Sequence, residues 1–173
     1  MPAIPSTPYR RRAWAYQSGT AAVEFAILLL PMLLLAFGVV EYGRAIYNYN
    51  TLVKSVRASA RLLSSQSPDN DGYAGLQEDA RCLAVHGNVD CTGPALVPNL
   101  SIAQIKICDR KTWSDCTGTN QDSYRSVATG EGTIHLVAVR IQSYQFPFIG
   151  LPLVTTGPTM TFGPIEAVMR QAG

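Results

Sequence analysis

Charge is scarce in this sequence: 15% of its 173 residues are Asp, Glu, Lys or Arg, and no acid precedes Glu24. Histidine occurs twice, as the isolated His86 and His135. There is no His-Glu-x-x-His, no Gly-x-Ser-x-Gly and no phosphate-cradling glycine loop, so no catalytic constellation emerges and neither enzyme activity nor a cofactor is expected. Cysteine is missing from the first 81 residues, and none of the four that follow belongs to a C-x-x-C motif. Residues 1–19 lack the apolar core of an ordinary secretory signal, having Pro2, Pro5, Pro8 and the basic run Arg10, Arg11 and Arg12 instead. From residue 66 onward seven basic side chains face ten acidic ones, which leaves no broad cationic surface and argues against a nucleic-acid partner.

What the sequence does have is one long apolar run. Apolar residues make up 47% of the chain, but the excess is concentrated at residues 21–40. From Phe25 to Val40, eleven strongly apolar side chains contribute about −3 to −7 kcal/mol to membrane insertion, against about 2.5 to 3.5 for one acid at the helix centre. Glu24 stands near the end of the run, where its cost is lower, so insertion is expected. The helical period continues past the membrane, since Tyr42, Ile46, Tyr49, Val53, Val56, Ala60 and Leu63 recur at alternating steps of four and three, a heptad-like seam for helix packing. An unbroken helix over residues 20–63 is on the order of 65 Å long, about twice the hydrocarbon thickness, so half of it stands clear as a stalk. Pro31 interrupts the hydrogen-bond ladder inside the bilayer, while Gly38 and Gly43 offer small surfaces for close helix approach.

These residues invite comparison with a known family. Gly19-Thr-Ala-Ala-Val-Glu24-Phe25, a run containing Leu-Pro31, Phe37-Gly-Val-Val-Glu41-Tyr-Gly43-Arg44, and Ser55 to Ala60 followed by Arg61 resemble the TadE-like pseudopilins of tight-adherence (Flp-type) pilus systems. The resemblance is densest over residues 18–61 and much looser afterwards. It implies a prepilin-type leader over residues 1–19, cut by a membrane prepilin peptidase between Gly19 and Thr20, with Glu24 five residues into the mature chain and followed by Phe25. It further implies other pilin-like subunits and an inner-membrane assembly platform as partners, with attachment to surfaces as the purpose of the pilus. The residues are compatible with this on physical grounds. Glycine is narrow and leaves the backbone free to extend. Cleavage creates an amine at Thr20 one helical turn from Glu24, so a carboxylate in the membrane gains a cationic partner. The competing reading has Glu24 interacting with the helix dipole and the headgroups, worth about 0.3 to 1 kcal/mol.

Charge counting does not orient the helix, because Arg44, Lys54, Arg57 and Arg61 rival the leader arginines. The cysteines and the family resemblance both put the carboxyl-terminal part outside, giving a single-pass protein of the bacterial inner membrane with a cytoplasmic amino terminus. Spacings of nine and eight suit two short-loop disulfides, Cys82 with Cys91 and Cys108 with Cys116, formed in an oxidising compartment. A zinc site on Cys82, His86 and Cys91 fits no common ligand spacing.

Residues 66–173 are expected to form a small α+β domain: a helix over Leu76–Val85, then an antiparallel sheet from strands at Ser101–Cys108, Thr133–Tyr144 and Ile165–Arg170, with Thr159–Phe162 leading into the last. The apolar, proline-broken connection 146–158 is read as a loop tucked over the core. Residues 67–78 resemble a calcium-binding loop with Asp69, Asp71 and Glu78 at ligand positions, but Ser67 replaces the first aspartate. The alternative there is an Asp/Asn/Gly turn. The functional expectation is a minor pilin-like assembly subunit, and the competing one an uncleaved, membrane-anchored binding module, calcium-assisted if residues 67–78 take the metal.

Overall fold

A computed structural model describes residues 18–113, 116, 124–149 and 159–172. The basic leader through Gln17 and the stretch 150–158 of the apolar connection lie outside the described residues. The chain divides into two compact units at Val40/Glu41. Helix α1, Ser18–Ser64, contains Pro31 and runs through the division.

In the first unit every helical side chain from residue 19 to 40 is exposed. The stretch is apolar and long enough to cross a membrane, with a mean hydropathy of 2.5 over its most apolar window.

The second unit begins with the rest of α1. Its buried stripe is Ala45, Asn48, Leu52, Ser55, Val56, Ser59, Ala60 and Leu63, spaced at three and four as an amphipathic helix requires. Ser55 and Ser59 can be buried because their hydroxyls donate to the helix carbonyls of Leu52 and Ser55, each at 3.0 Å. Leu52, Val56 and Leu63 have no exposed surface, and each full burial stabilises by about 1.5–3 kcal/mol. The helix stops at Ser64, whose carbonyl accepts from Ala172 N–H at 3.0 Å and is thereby tied to the end of the last strand. Helix α2, Tyr73–His86, ends on Gly87 at φ +78, whose N–H returns to Leu83 O at 3.0 Å. A Cβ at Gly87 would stand 3.1 Å from Leu96 Cδ2, so the position suits glycine on two counts.

A 3-10 turn at Ile102–Gln104 leads into β1, Ile105–Cys108, followed by β2, Val127–Thr129, and the ten-residue β3, Gly132–Ile141. β4, Gln145–Pro147, β5, Thr159–Thr161, and β6, Ile165–Gln171, complete the order. All pairings are antiparallel. β3 is the hub, pairing with β1, β2 and β6, while β4 and β5 form a separate two-stranded ribbon. Ile105, Ile107, Val137, Val139, Ile141 and Ile165 share one core cluster with the buried face of α1 and with Ala80, Ala84 and Val85 of α2. A second cluster holds Cys108, Cys116, Tyr124 and Ala138, with Cys108 opposite Ala138 in register.

The expected α+β class, with a long amino-terminal helix before a small antiparallel sheet, is what the chain adopts. Three local expectations change. Ser101–Gln104 is not strand, because Ser101 N–H donates to Gln104 Oε1 at 2.9 Å and Gln104 N–H to Ser101 O at 3.1 Å, which closes a turn. The connection 146–158 is not all loop, because Phe146 and Pro147 pair with Met160 and Thr159; as expected of a segment tucked over the core, Phe146 is fully buried. The strand expected at Thr133–Tyr144 stops at Ile141.

Candidate functional site

The residues singled out in the sequence fall into three places. Gly19, Thr20, Glu24 and Phe25 lie in the first turns of α1, all exposed. The four-residue spacing of Thr20 and Glu24 puts both on one helical face. A Cβ built at Gly19, Gly38 or Gly43 would meet nothing within 4 Å, so no packing among the described residues requires glycine there. Pro31 is accommodated within α1.

The heptad-like seam divides. Val56, Ala60 and Leu63 are fully buried in the chain's own core, and Val53 packs against it. Tyr42 is 69% exposed, Ile46 44% and Tyr49 46%. The expectation of one continuous seam for packing against other helices is therefore corrected: its lower part is already occupied. In its upper part the domain buries a neighbouring stripe, Ala45, Asn48 and Leu52. Tyr49 still makes an edge-on contact with Phe162, ring centroids 5.7 Å apart.

Arg44 fastens this end of the unit. Its guanidinium lies 4.4 Å from the Phe146 ring centroid, pairs with Glu41 Oε2 at 2.6 Å and donates to the Pro147 carbonyl. A desolvated cation over an aromatic face is worth about 0.5–2 kcal/mol.

The cysteines pair as expected from their short loops. Cys82 joins Cys91 and Cys108 joins Cys116, with Cα atoms 4.7 and 6.1 Å apart, within the range a disulfide accepts. With both its cysteines bridged, the zinc alternative is ruled out, and His86 Nδ1 instead lies 3.0 Å from Gly93 O.

Asp69, Asp71 and Glu78 do not converge on a calcium site. Asp69 pairs with Arg110 and with Lys111 Nζ at 3.0 Å, and Glu78 pairs with Arg81 at 2.5 Å. Asp71 is exposed. Among the described residues no three His, Cys, Asp or Glu side chains are gathered to hold a metal. The hydrogen bond from Lys111, with the charges of Arg110 and Lys111, holds the Asp69 carboxyl below its usual range against an opposing effect of desolvation.

Sequence reasoning missed Asp109, which is completely buried yet ionisable. Its Oδ2 accepts from Tyr73 Oη at 2.8 Å and Gln77 Nε2 at 3.2 Å, and its Oδ1 from the N–H groups of Lys111 and Thr112, both at 2.7 Å. Gln171 Nε2 donates in turn to Tyr73 Oη at 2.8 Å. Four donors replace the water a buried carboxylate gives up, and the network ties the start of α2, the end of β1 and the end of β6 together. Burial, then the Asp109 charge and hydrogen bond, push the Tyr73 phenol well above its ordinary range. The available signal was Asp109-Arg-Lys-Thr112 directly after a strand, an Asx-turn pattern.

Residues 19–61 match the protein family described as TadE-like protein. The match covers the exposed apolar part of α1 and most of its stalk and stops before α2. No curated protein and no solved structure matches the chain.

Proposed function

We propose that this chain is a minor pilin-like subunit, cut by a prepilin peptidase between Gly19 and Thr20, that takes part in assembling a tight-adherence pilus used for surface attachment. The observation that carries the reading is a coincidence along α1. The residues matched to the TadE-like family include an apolar stretch that the chain leaves wholly unburied, with glycines at 19, 38 and 43 that its own packing does not use. A tether needs only apolarity. Small residues facing open space suit close approach by a neighbouring helix, and a glycine before the cut suits a narrow peptidase cleft.

Ser18, Gly19 and Thr20 are helical, which adds a requirement, since a peptidase acts on extended backbone and this turn must open. Glycine is about 1 kcal/mol less favourable than alanine inside a helix, so Gly19 makes that opening easier. The two disulfides support placing the carboxyl-terminal unit outside the cytoplasm, with the chain in the inner membrane and its amino terminus inside.

Intact mass or amino-terminal sequencing of the membrane-extracted protein tests the proposal. In cells with the matching peptidase the mature chain is expected to begin at Thr20, and Gly19→Trp to remain full length in the membrane. Wild-type protein found only at full length removes the pilin reading.

A further inference from the structure

The segment that looks in sequence like a cation-binding loop is built into a cleft of the opposite preference. A cavity of about 540 Å³ is lined by Asp69, Arg110, Lys111, Arg125, Ser126 and His135. Residues 66–173 hold more acids than bases, yet three of their seven basic side chains line this one cleft, and of their ten acids only Asp69 does among the described residues. Among the described lining residues Asp69 is outnumbered by Arg110, Lys111 and Arg125, a formal excess of two positive charges with His135 neutral.

The cleft is held in place both by partners outside it and by contacts among its own lining residues. The buried Asp109 accepts the N–H groups of Lys111 and Thr112 at 2.7 Å each and so fixes the turn from which Arg110 and Lys111 project. Asp69 steers both side chains, pairing with Arg110 and with Lys111 Nζ at 3.0 Å, and Arg110 also donates to Ser67 Oγ at 2.8 Å. On the other wall, Ser126 has φ +52, a left-handed conformation uncommon for serine, and its N–H donates to His135 Nδ1 at 3.2 Å. With Nδ1 accepting, the imidazole proton of neutral His135 resides on Nε2, which makes that nitrogen a donor. Arg125 beside it is exposed and engaged in no ion pair with a described residue.

We infer that this cleft binds a phosphate group, with Lys111, Arg125 and His135 Nε2–H donating to its oxygens and Arg110 adding charge. Two cationic donors and one neutral donor lining the same polar cleft suit a compact oxyanion, and guanidinium–phosphate pairs are among the stronger charge-assisted hydrogen bonds. Asp69 then orients two of the cations, which explains why a carboxylate lines a site for an anion. The inference stands apart from the pilin proposal, because it concerns neither processing nor the apolar helix.

Calorimetric titration of the full chain in a non-ionic detergent at fixed ionic strength tests it, with inorganic phosphate as one probe and dihexanoyl phosphatidylglycerol, below its micelle concentration, as the other. Saturable binding is expected, weakened about ten-fold or more by Arg125→Gln and by Lys111→Gln, as loss of a hydrogen bond to a charged group predicts. Arg170→Gln, on the exposed side of β6, is expected to leave it unchanged. Tighter binding of inorganic phosphate assigns the site to the free ion, and tighter binding of the lipid assigns it to a headgroup. No saturable binding of either probe overturns the inference. So does affinity unchanged in Arg125→Gln with its melting temperature preserved, or an equal loss in Arg170→Gln, which would mean non-specific attraction.

Discussion

Replacing Tyr73 by phenylalanine removes one oxygen atom at the junction of three elements. That hydroxyl donates to the fully buried Asp109 at 2.8 Å and accepts from Gln171 Nε2 at 2.8 Å. Losing a hydrogen bond to a buried carboxylate costs about 1.5–3 kcal/mol, and stranding the Gln171 amide adds about 1–3. Gln171 Oε1 has no hydrogen-bond partner among the described residues, so among them the amide has nothing else to hold it. The two losses overlap, and about 3 kcal/mol is expected, a large fraction of the 5–15 kcal/mol typical of a domain. In a unit of this size that is a fall in melting temperature of roughly 10 °C or more, readable by circular dichroism of the disulfide-intact chain in detergent. Adding Gln171→Leu is expected to recover part of the loss, because removing both partners is milder than orphaning one. The pH dependence gives a second reading. The folded-state phenol is raised above its unfolded value, so this group's stabilisation is complete below about pH 10 and is lost as pH climbs toward the folded value. The Phe variant lacks that alkaline component. A Tyr73→Phe protein within about 0.5 kcal/mol of wild type, or one with the same alkaline decline, refutes the network as a stabilising element.

Glu24→Ala is expected to insert at least as well as wild type and still be cleaved, but to lose association, read as loss of crosslinking through a cysteine placed at Val39. Crosslinking and filament formation at wild-type levels would reduce Glu24 to a surface acid. Cys108→Ala with Cys116→Ala is expected to lower stability by about 2.5 kcal/mol from loop entropy alone, and non-reducing peptide mapping of the wild type to recover Cys108 joined to Cys116 and Cys82 to Cys91. Leu52→Ala is expected to cost about 2–5 kcal/mol in thermal unfolding, whereas Ile46→Ala, on the exposed side, should leave stability within about 0.5 kcal/mol and act on assembly instead.

The apolar helix was legible because a run such as Leu28 to Val40 has few physical solutions, and the disulfides because loops of nine and eight residues close most readily. β6 was legible from the Ile165, Ala167 and Met169 alternation, whose side chains meet Ile141, Val139 and Val137 in register. The phase of the buried stripe on α1 was not. A period of three and four names several adjacent stripes, and which of them is covered depends on residues a hundred positions away, such as Phe146 and Ile165. Three-residue strands such as Val127–Thr129 carry too little alternation to be recognised alone. The cation partners of Asp69 were hidden for a related reason: Asp69 and Glu78 look like calcium ligands locally, while the Arg110 and Lys111 that pair with Asp69 lie about forty residues on.

If the proposed assembly role holds, the division of α1 limits where contacts between subunits can form. From Leu52 to Leu63 the apolar face is spent on the chain's own sheet and on α2, and Arg44 closes the near end over Phe146. The apolar side chains of α1 left exposed are those of the stretch 21–40 together with Tyr42, Ile46, Tyr47 and Tyr49. A neighbouring helix that packs against this chain therefore meets the apolar run with its open Gly38 and Gly43, and meets the tyrosines only at its upper end. The basic stripe Lys54, Arg57 and Arg61 is exposed alongside the occupied face, so any docking it makes is polar and salt-sensitive. A loss of assembly caused by substitutions at Val56, Ala60 or Leu63 then points to unfolding, and only substitutions among the uncovered residues report on an interface.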